Sequence, residues 1–205
     1  VYGWTEQQGD WTVLNSELLP PNNASNARIT RDYSDISGDG CVTADVNYTA
    51  SPSVHFGAVM MWYQDESNHL IFKIQDNYST GYYDSFGIYQ NGTGLFETNL
   101  SFGTNPRIRL HVSGSTATGL IDVERDGTWD YEYTSNITPS SGLCGLVAFG
   151  PTIALDNYCD GDECGGPTPT SSLIPCINDD HVTEDGMVTA ADAQMAFVIA
   201  LGSYT

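Results

Sequence analysis

Basic residues are what this chain has least of. Lys and Arg number six against 26 Asp and Glu, Lys73 is the sole lysine, and the formal net charge is -20 over 205 residues. Such a polyanion gains nothing from counterion release on a phosphate backbone and is repelled by anionic membrane surfaces. Nucleic acid is therefore excluded as a partner, and the charge favours cations, either divalent metal ions or a salty medium. Charged residues make up only 16%, so the imbalance comes from missing Lys and Arg. Long hydrophobic runs are also lacking. The most apolar stretch, Ala193–Leu201, falls far short of the roughly 20 residues a membrane-spanning helix requires.

Metal-type cysteine spacing is missing as well. Cys41, Cys144, Cys159, Cys164 and Cys176 include no CxxC pair and no His-rich partner segment, so disulfides in an oxidising compartment are the expectation, with one thiol left over. The chain opens on Val1 rather than Met, as expected after removal of a signal peptide. Asn-x-Ser/Thr sequons occur at Asn23, Asn47, Asn77, Asn91, Asn99 and Asn136. Together these point to a secreted, extracellular glycoprotein carrying covalent glycans.

Catalytic constellations are absent too. His55, His69, His111 and His181 lie in separate segments, with no GxSxG element and no nucleophilic cysteine motif beside them. The nearest approach to a glycosidase carboxylate strand is Leu120-Ile121-Asp122-Val123-Glu124, where Leu120 occupies the place a nucleophile would need. Outward carboxylates alternating on a strand explain that segment, and enzyme activity is not expected.

What the chain does have is strand pattern. Gly57–Gln64 and Leu70–Gln75 flank Asp65-Glu66-Ser67-Asn68-His69 as a hairpin, and Arg107–Ser113 and Ala117–Glu124 flank Gly114-Ser115-Thr116 as a second. Arg125-Asp126-Gly127 turns the chain into Thr128–Tyr133, and Gly145–Phe149 with Ile153–Tyr158 forms a third pair around Gly150-Pro151. Short strands at this spacing, with no amphipathic helix between them, predict an antiparallel sandwich over residues 1–160. Trp11 and Trp62, inside apolar runs, are expected in its core. Residues 161–176 hold Gly165-Gly166-Pro167-Thr168-Pro169-Thr170-Ser171-Ser172, a linker by composition. Residues 177–205 form a third segment, with an apolar helix expected over Ala190–Leu201.

Two family resemblances follow from ordered motifs. Trp11-Thr12-Val13-Leu14-Asn15-Ser16-Glu17-Leu18 as an opening strand, Phe56–Asp65, Gly142–Gly150 and Ala154-Leu155-Asp156-Asn157-Tyr158 resemble the strands of concanavalin-like jelly rolls, a group of lectin, laminin-G-like and glucanase-associated domains. That resemblance implies an all-β antiparallel jelly-roll β-sandwich. It also implies that Val42–Val46 lies antiparallel to Ile153–Tyr158, which would bring Cys41 to Cys159. Cys164 and Cys176 bracket the linker and form the second expected pair, leaving Cys144 over. Asp185-Gly186-Met187-Val188-Thr189-Ala190-Ala191-Asp192-Ala193-Gln194 resembles one type I dockerin repeat, an EF-hand-like loop and helix. The implied calcium ligands are Asp185, Met187 through its carbonyl, Thr189 and Asp192, with Asp180 standing in where His181 takes the first loop position.

Two functional readings follow. Dockerins carry two repeats packed together, whereas this chain shows one. Its apolar helix, with Met195, Phe197, Val198, Ile199 and Leu201, must therefore be buried by something else. Self-association into an extracellular filament or sheath through that helix is the leading expectation. The alternative is a carbohydrate-binding module whose tail docks a cohesin-like domain while the sandwich holds a polysaccharide. Tyr82, Tyr83, Trp129, Tyr131 and Tyr133 are the candidate sugar-binding aromatics. A second calcium candidate is Asp35-Ile36-Ser37-Gly38-Asp39-Gly40, with Asp35, Ser37 and Asp39 as ligands.

Overall fold

A computed structural model describes residues 3–21, 26–48, 54–150 and 153–161, with only the backbone at Tyr33. These residues fold as an antiparallel jelly-roll β-sandwich of fourteen strands. One sheet has the order β1 (Trp4–Gln8), β4 (Ala27–Ser37), β13 (Ser141–Phe149), β6 (His55–Asp65), β7 (Asn68–Asp76), β8 (Tyr83–Gln90), β9 (Thr93–Phe102). The other runs β12 (Tyr131–Asn136), β11 (Thr116–Asp122), β10 (Arg107–Ser113), β5 (Gly40–Tyr48), β14 (Ile153–Gly161), β3 (Glu17–Leu19), β2 (Thr12–Leu14).

Side-chain alternation places the core between the sheets. In β10, Ile108, Leu110 and Val112 are fully buried, while Arg107, Arg109 and His111 take the opposite face. In β7, Leu70, Phe72 and Ile74 point inward against the same core. The central strand β6 is apolar on both faces: Val59 and Met61 join the inter-sheet core, and Ala58 and Met60 form a second cluster with Val147 and Tyr63. A bulge ends its regular stretch. Trp62 has φ 57°, the register shifts between Met61 and Asp65, and Met61 and Trp62 can both enter the core. Trp11 is buried with them.

The first two expected hairpins form. Asp65 faces Asn68 across a turn of Glu66-Ser67, and Ser113 faces Thr116 across Gly114-Ser115. The third pairing needs correction. β13 belongs to the first sheet and β14 to the second, where β14 lies between β5 and β3. Both strands are buried enough to be interior strands of different layers, so the connection at Gly150 crosses the sandwich. The expected opening strand Trp11–Leu18 is also a hairpin. Asn15 (φ 54°) and Ser16 (φ 70°) make a turn of the kind that joins two-residue hairpins, pairing Leu14 with Glu17.

The adjacency of Val42–Val46 and the last strand is borne out, with Leu155 facing Val46 and Asp156 facing Asp45. The bond it suggested is not. Cys159 does not bond to Cys41. The register shift between Asp156 and Cys159 sets Cys159 opposite Thr43 and Cys41 opposite Gly161. The two cysteines are thus diagonal, about 7–8 Å apart, beyond the separation a disulfide spans. The expected Cys164–Cys176 bond lies outside the described residues, as do the linker from residue 162 and the dockerin-like segment 177–205 with its helix.

Candidate functional site

A concavity lies at one side of the sandwich, where β1 of the first sheet faces β14, β3 and β2 of the second. A pocket of about 230 Å³ is lined there by Trp4, Val13, Ser16, Leu18, Leu155, Asp156, Asn157 and Tyr158. Trp4 and Tyr158 meet edge to face, with ring centroids 4.7 Å apart, a favoured aromatic geometry. Arg31 lies over the Trp4 ring at 5.6 Å. Val13 is 56% exposed at the rim and Leu14 beside it 58%, an apolar lip on the short β2–β3 hairpin.

The polar wall is built by the β14 bulge. After Leu155 points into the core, two polar residues follow before Tyr158 packs against it again. Asn157 takes up the extra residue in a left-handed conformation, φ 50°, which Asn tolerates better than most side chains. Its backbone N–H donates to Asp156 Oδ1 at 2.7 Å, and its side-chain Nδ2 donates to Asp45 Oδ2 at 2.8 Å.

Asp45 is the anchor beneath this wall. It is 2% exposed and accepts from Arg107 Nε at 2.7 Å and Arg107 Nη2 at 3.2 Å. Arg125 Nη1 stands 3.6 Å away. Arg125 also donates to Asn47 Oδ1, Val46 O and Pro106 O, tying β5, the β9–β10 connection and the β11–β12 loop together. A buried carboxylate with two guanidinium partners and an amide donor is satisfied. It therefore fixes Asn157 while leaving Asp156 at the pocket surface. Behind Tyr158, its hydroxyl donates to Asp160 Oδ2 at 2.8 Å, and Ser34 donates to the same oxygen.

The aromatic residues singled out from sequence do not gather here. Tyr83 is 1% exposed and stacks on Phe102. Tyr133 packs on Phe86 and Phe96, with centroids at 4.5 and 4.8 Å, and Tyr131 lies near Phe102. The face that Tyr131 and Tyr133 share is the core face, so these three are packing residues. Trp129 is half-buried under Arg109, whose Cζ is 4.8 Å from the ring. Tyr82 is exposed on the β7–β8 turn, as is Tyr78. That turn is organised by buried Asp76, whose carboxylate accepts the N–H groups of Tyr78, Thr80 and Gly81.

The second calcium candidate does not curl into a loop. Asp35 and Ser37 lie in extended β4, paired with Leu143 and Ser141, and Asp39 accepts the N–H of Gly114 at 2.6 Å. Among the described residues no three His, Cys, Asp or Glu side chains group as a metal site. Asp122, in the segment compared with a glycosidase strand, is buried and caps the next loop through the N–H groups of Asp126 and Gly127. The calcium ligands Asp180, Asp185, Met187, Thr189 and Asp192 lie outside the described residues. So do the assembly residues Met195, Phe197, Val198, Ile199 and Leu201.

Of the sequon asparagines, Asn91, Asn99 and Asn136 are exposed and Asn47 and Asn77 half-buried, with Asn23 outside the described residues.

No protein-family model matches the sequence, and no curated protein matches it. Solved structures share the fold. The carbohydrate-binding module CBM66 from Bacillus subtilis superposes with a TM-score of 0.59 at 17% identity, over 77% of this chain and 94% of that one. The exoplasmic/lumenal domain of VIP36 in its Ca2+/Man-bound form gives 0.59 at 10% identity, over 85% and 87%. A functionally unknown protein from Saccharomyces cerevisiae gives 0.59 at 11% identity, over 79% and 96%. At these identities the likeness is one of fold.

Proposed function

We propose that this sandwich is a non-catalytic carbohydrate-binding module of an extracellular or lumenal protein, and that its sugar site is the pocket between β1, β3 and β14. One observation carries the reading: aromatic and apolar surface from Trp4, Tyr158, Leu18 and Val13 faces a fixed pair of polar side chains, Asp156 and Asn157. Sugars present apolar C–H faces and polar edges, and sites that hold them pair the two kinds of surface. Asp156 accepts hydroxyl protons, Asn157 offers an amide already oriented by Asp45, and the apolar lip covers the C–H face. The carboxylate and the charge of -20 favour neutral sugars over acidic ones. The pocket's size suits a single sugar ring or chain end.

Hydrolysis does not fit this site. Asp156 is the one carboxylate among the lining residues, and glycosidases need two across the scissile bond, about 5–10 Å apart. Among the described residues no three His, Cys, Asp or Glu side chains group as a metal site; Asp45 is held by arginines, and Asp76 and Asp122 accept backbone N–H groups. The calcium expectation rests on the tail loop, outside the described residues.

The likeness to a carbohydrate-binding module and to a Man-bound lumenal domain supports this reading over self-assembly through the tail helix. The test is a neutral-glycan and polysaccharide array with the full chain, followed by calorimetry on the strongest ligand. Trp4→Ala and Asp156→Ala should each weaken binding at least about tenfold, which is roughly 1.4 kcal/mol, with the melting temperature checked in parallel. Wild-type affinity in both variants, or no ligand on a broad array, would overturn the proposal.

A further inference from the structure

The strand order and hydrogen bonds divide the sequon asparagines into two groups. β9 and β12 are the outermost described strands of their sheets on one side, joined across the sandwich by the stacked rings of Phe96 and Tyr133 at 4.8 Å. Asn99 lies on β9, Asn136 ends β12, and Asn91 sits in the turn that enters β9. All three are exposed. Asn91 uses its backbone N–H and its Oδ1 to hold His69, leaving Nδ2 uncommitted. The other two make no side-chain hydrogen bond to described residues.

Asn47 and Asn77 differ in both respects. Each is half-buried. Asn47 Nδ2 donates to Glu17 Oε1, while its Oδ1 accepts from Arg125, both at 2.5 Å. Asn77 Nδ2 donates to Ser85 Oγ at 2.6 Å, and Ser85 is 1% exposed. A glycan replaces one of the two hydrogens on Nδ2, so on either nitrogen it would compete with these donor contacts and need room beside a half-buried side chain.

We infer that Asn91, Asn99 and Asn136 are the N-glycosylated residues of the sandwich, that folded molecules carry none at Asn47 and Asn77, and that the glycans form one screen along the β9/β12 side. The modification transfers an oligosaccharide from a polyprenyl phosphate or diphosphate donor, by a host transferase. The Nδ2–C1 bond forms, the bond from C1 to the phosphate oxygen breaks, Nδ2 gives up one proton, and the polyprenyl phosphate or diphosphate, whichever carried the sugar, leaves. The screen covers outermost strands whose free N–H and C=O groups would otherwise invite pairing with other chains. None of these three asparagines lies on β1, β2 or the pocket, so the arrangement holds whether or not the pocket binds sugar.

The test is site-by-site occupancy in the full chain, secreted from a yeast or insect host. An Asn23→Gln background ensures that retained glycan belongs to a described site. Enzymatic release in heavy-oxygen water marks each formerly glycosylated Asn as a heavy Asp for mass spectrometry. Marks at Asn91, Asn99 and Asn136, with none at Asn47 or Asn77, are expected. Occupancy of Asn47 or Asn77 comparable to the others, or a secreted protein lacking glycan at any of the three, would overturn the inference. Native removal of the glycans should then raise aggregation by light scattering while the melting temperature stays within a few degrees. Unchanged aggregation would overturn the screening role.

Discussion

Asp45→Asn tests whether a buried charge holds the polar wall of the pocket. The substitution keeps the side chain's size and removes its negative charge. The native carboxylate takes two hydrogen bonds from Arg107 and one from Asn157, with Arg125 Nη1 at 3.6 Å. An amide there can still accept at its oxygen, but its own N–H groups would meet donors. Breaking a buried ion pair from one side costs about 3–5 kcal/mol. Arg107 and Arg125 are 33% and 24% exposed, so each recovers some hydration, and about 2–3 kcal/mol is the expected loss. At roughly 2–4 °C per kcal/mol for a domain of this size, the melting temperature should fall by about 4–12 °C. The assay is calorimetry at neutral pH, repeated near 1 M salt, where the Debye length is about 3 Å. A desolvated pair keeps its contribution there, whereas a surface pair loses it. A cycle with Asn157→Ala should show coupling of about 1 kcal/mol. A melting temperature within about 2 °C of the parent, or a difference that vanishes in salt, would refute the account of Asp45 as anchor.

Two further outcomes follow from other buried groups. Burial pushes the Asp76 carboxyl up, but the N–H groups of Thr80, Gly81 and Tyr78 outweigh it and hold its pKa below the usual value. Its stabilisation is thus complete above the unfolded pKa of about 3.9 and is lost as pH falls through the folded value. Burial also lowers the His69 pKa, so stability first declines as pH drops below about 6.5. Urea midpoints against pH should show both declines, with Asp76→Asn flattening the lower and His69→Gln the upper; unchanged curves in the variants would contradict this. Burial pushes the Cys144 thiol up to about 12, which keeps it protonated at neutral pH. Cys144 should resist iodoacetamide until the chain unfolds, and rapid native alkylation in a peptide map would refute the assignment.

Strand identity was legible wherever one face is buried and the other is not. Arg107–Ser113 and Leu70–Gln75 alternate cleanly, and both form the expected hairpins. Sheet membership was not legible for β13 and β14. A Gly-Pro turn between two apolar runs serves a hairpin and a crossover equally well, and only long-range pairing with β6 and β5 decides between them. The same ambiguity misled the aromatic assignments. Alternation correctly put Tyr131 and Tyr133 on one face, but it cannot say which face is the core when the other bears Glu132 and solvent. Their contacts with Phe86, Phe96 and Phe102 come from strands some thirty or more residues away.

The pocket residues left a fainter mark, and it lies in a broken alternation. From Ile153 the inward positions should continue 153, 155, 157, which would bury Asn157 and expose Tyr158. Burying an amide beside an apolar core without partners costs a few kcal/mol, while leaving a tyrosine ring outside forgoes comparable burial. Inserting one residue removes both penalties: Asn157 moves to the surface in a left-handed turn, and Tyr158 returns to the core side against Trp4. Two successive polar residues before an aromatic, inside an otherwise apolar strand, therefore signal a bulge, and bulges re-aim side chains next to binding sites. Asp45 could not be read the same way. A lone acid in Val42–Val46 looks like an outward strand position, and its burial depends on Arg107 and Arg125 arriving from two other segments. The bulge that places Asp156 and Asn157 at the pocket also sets Cys159 opposite Thr43, two positions from Cys41 along β5.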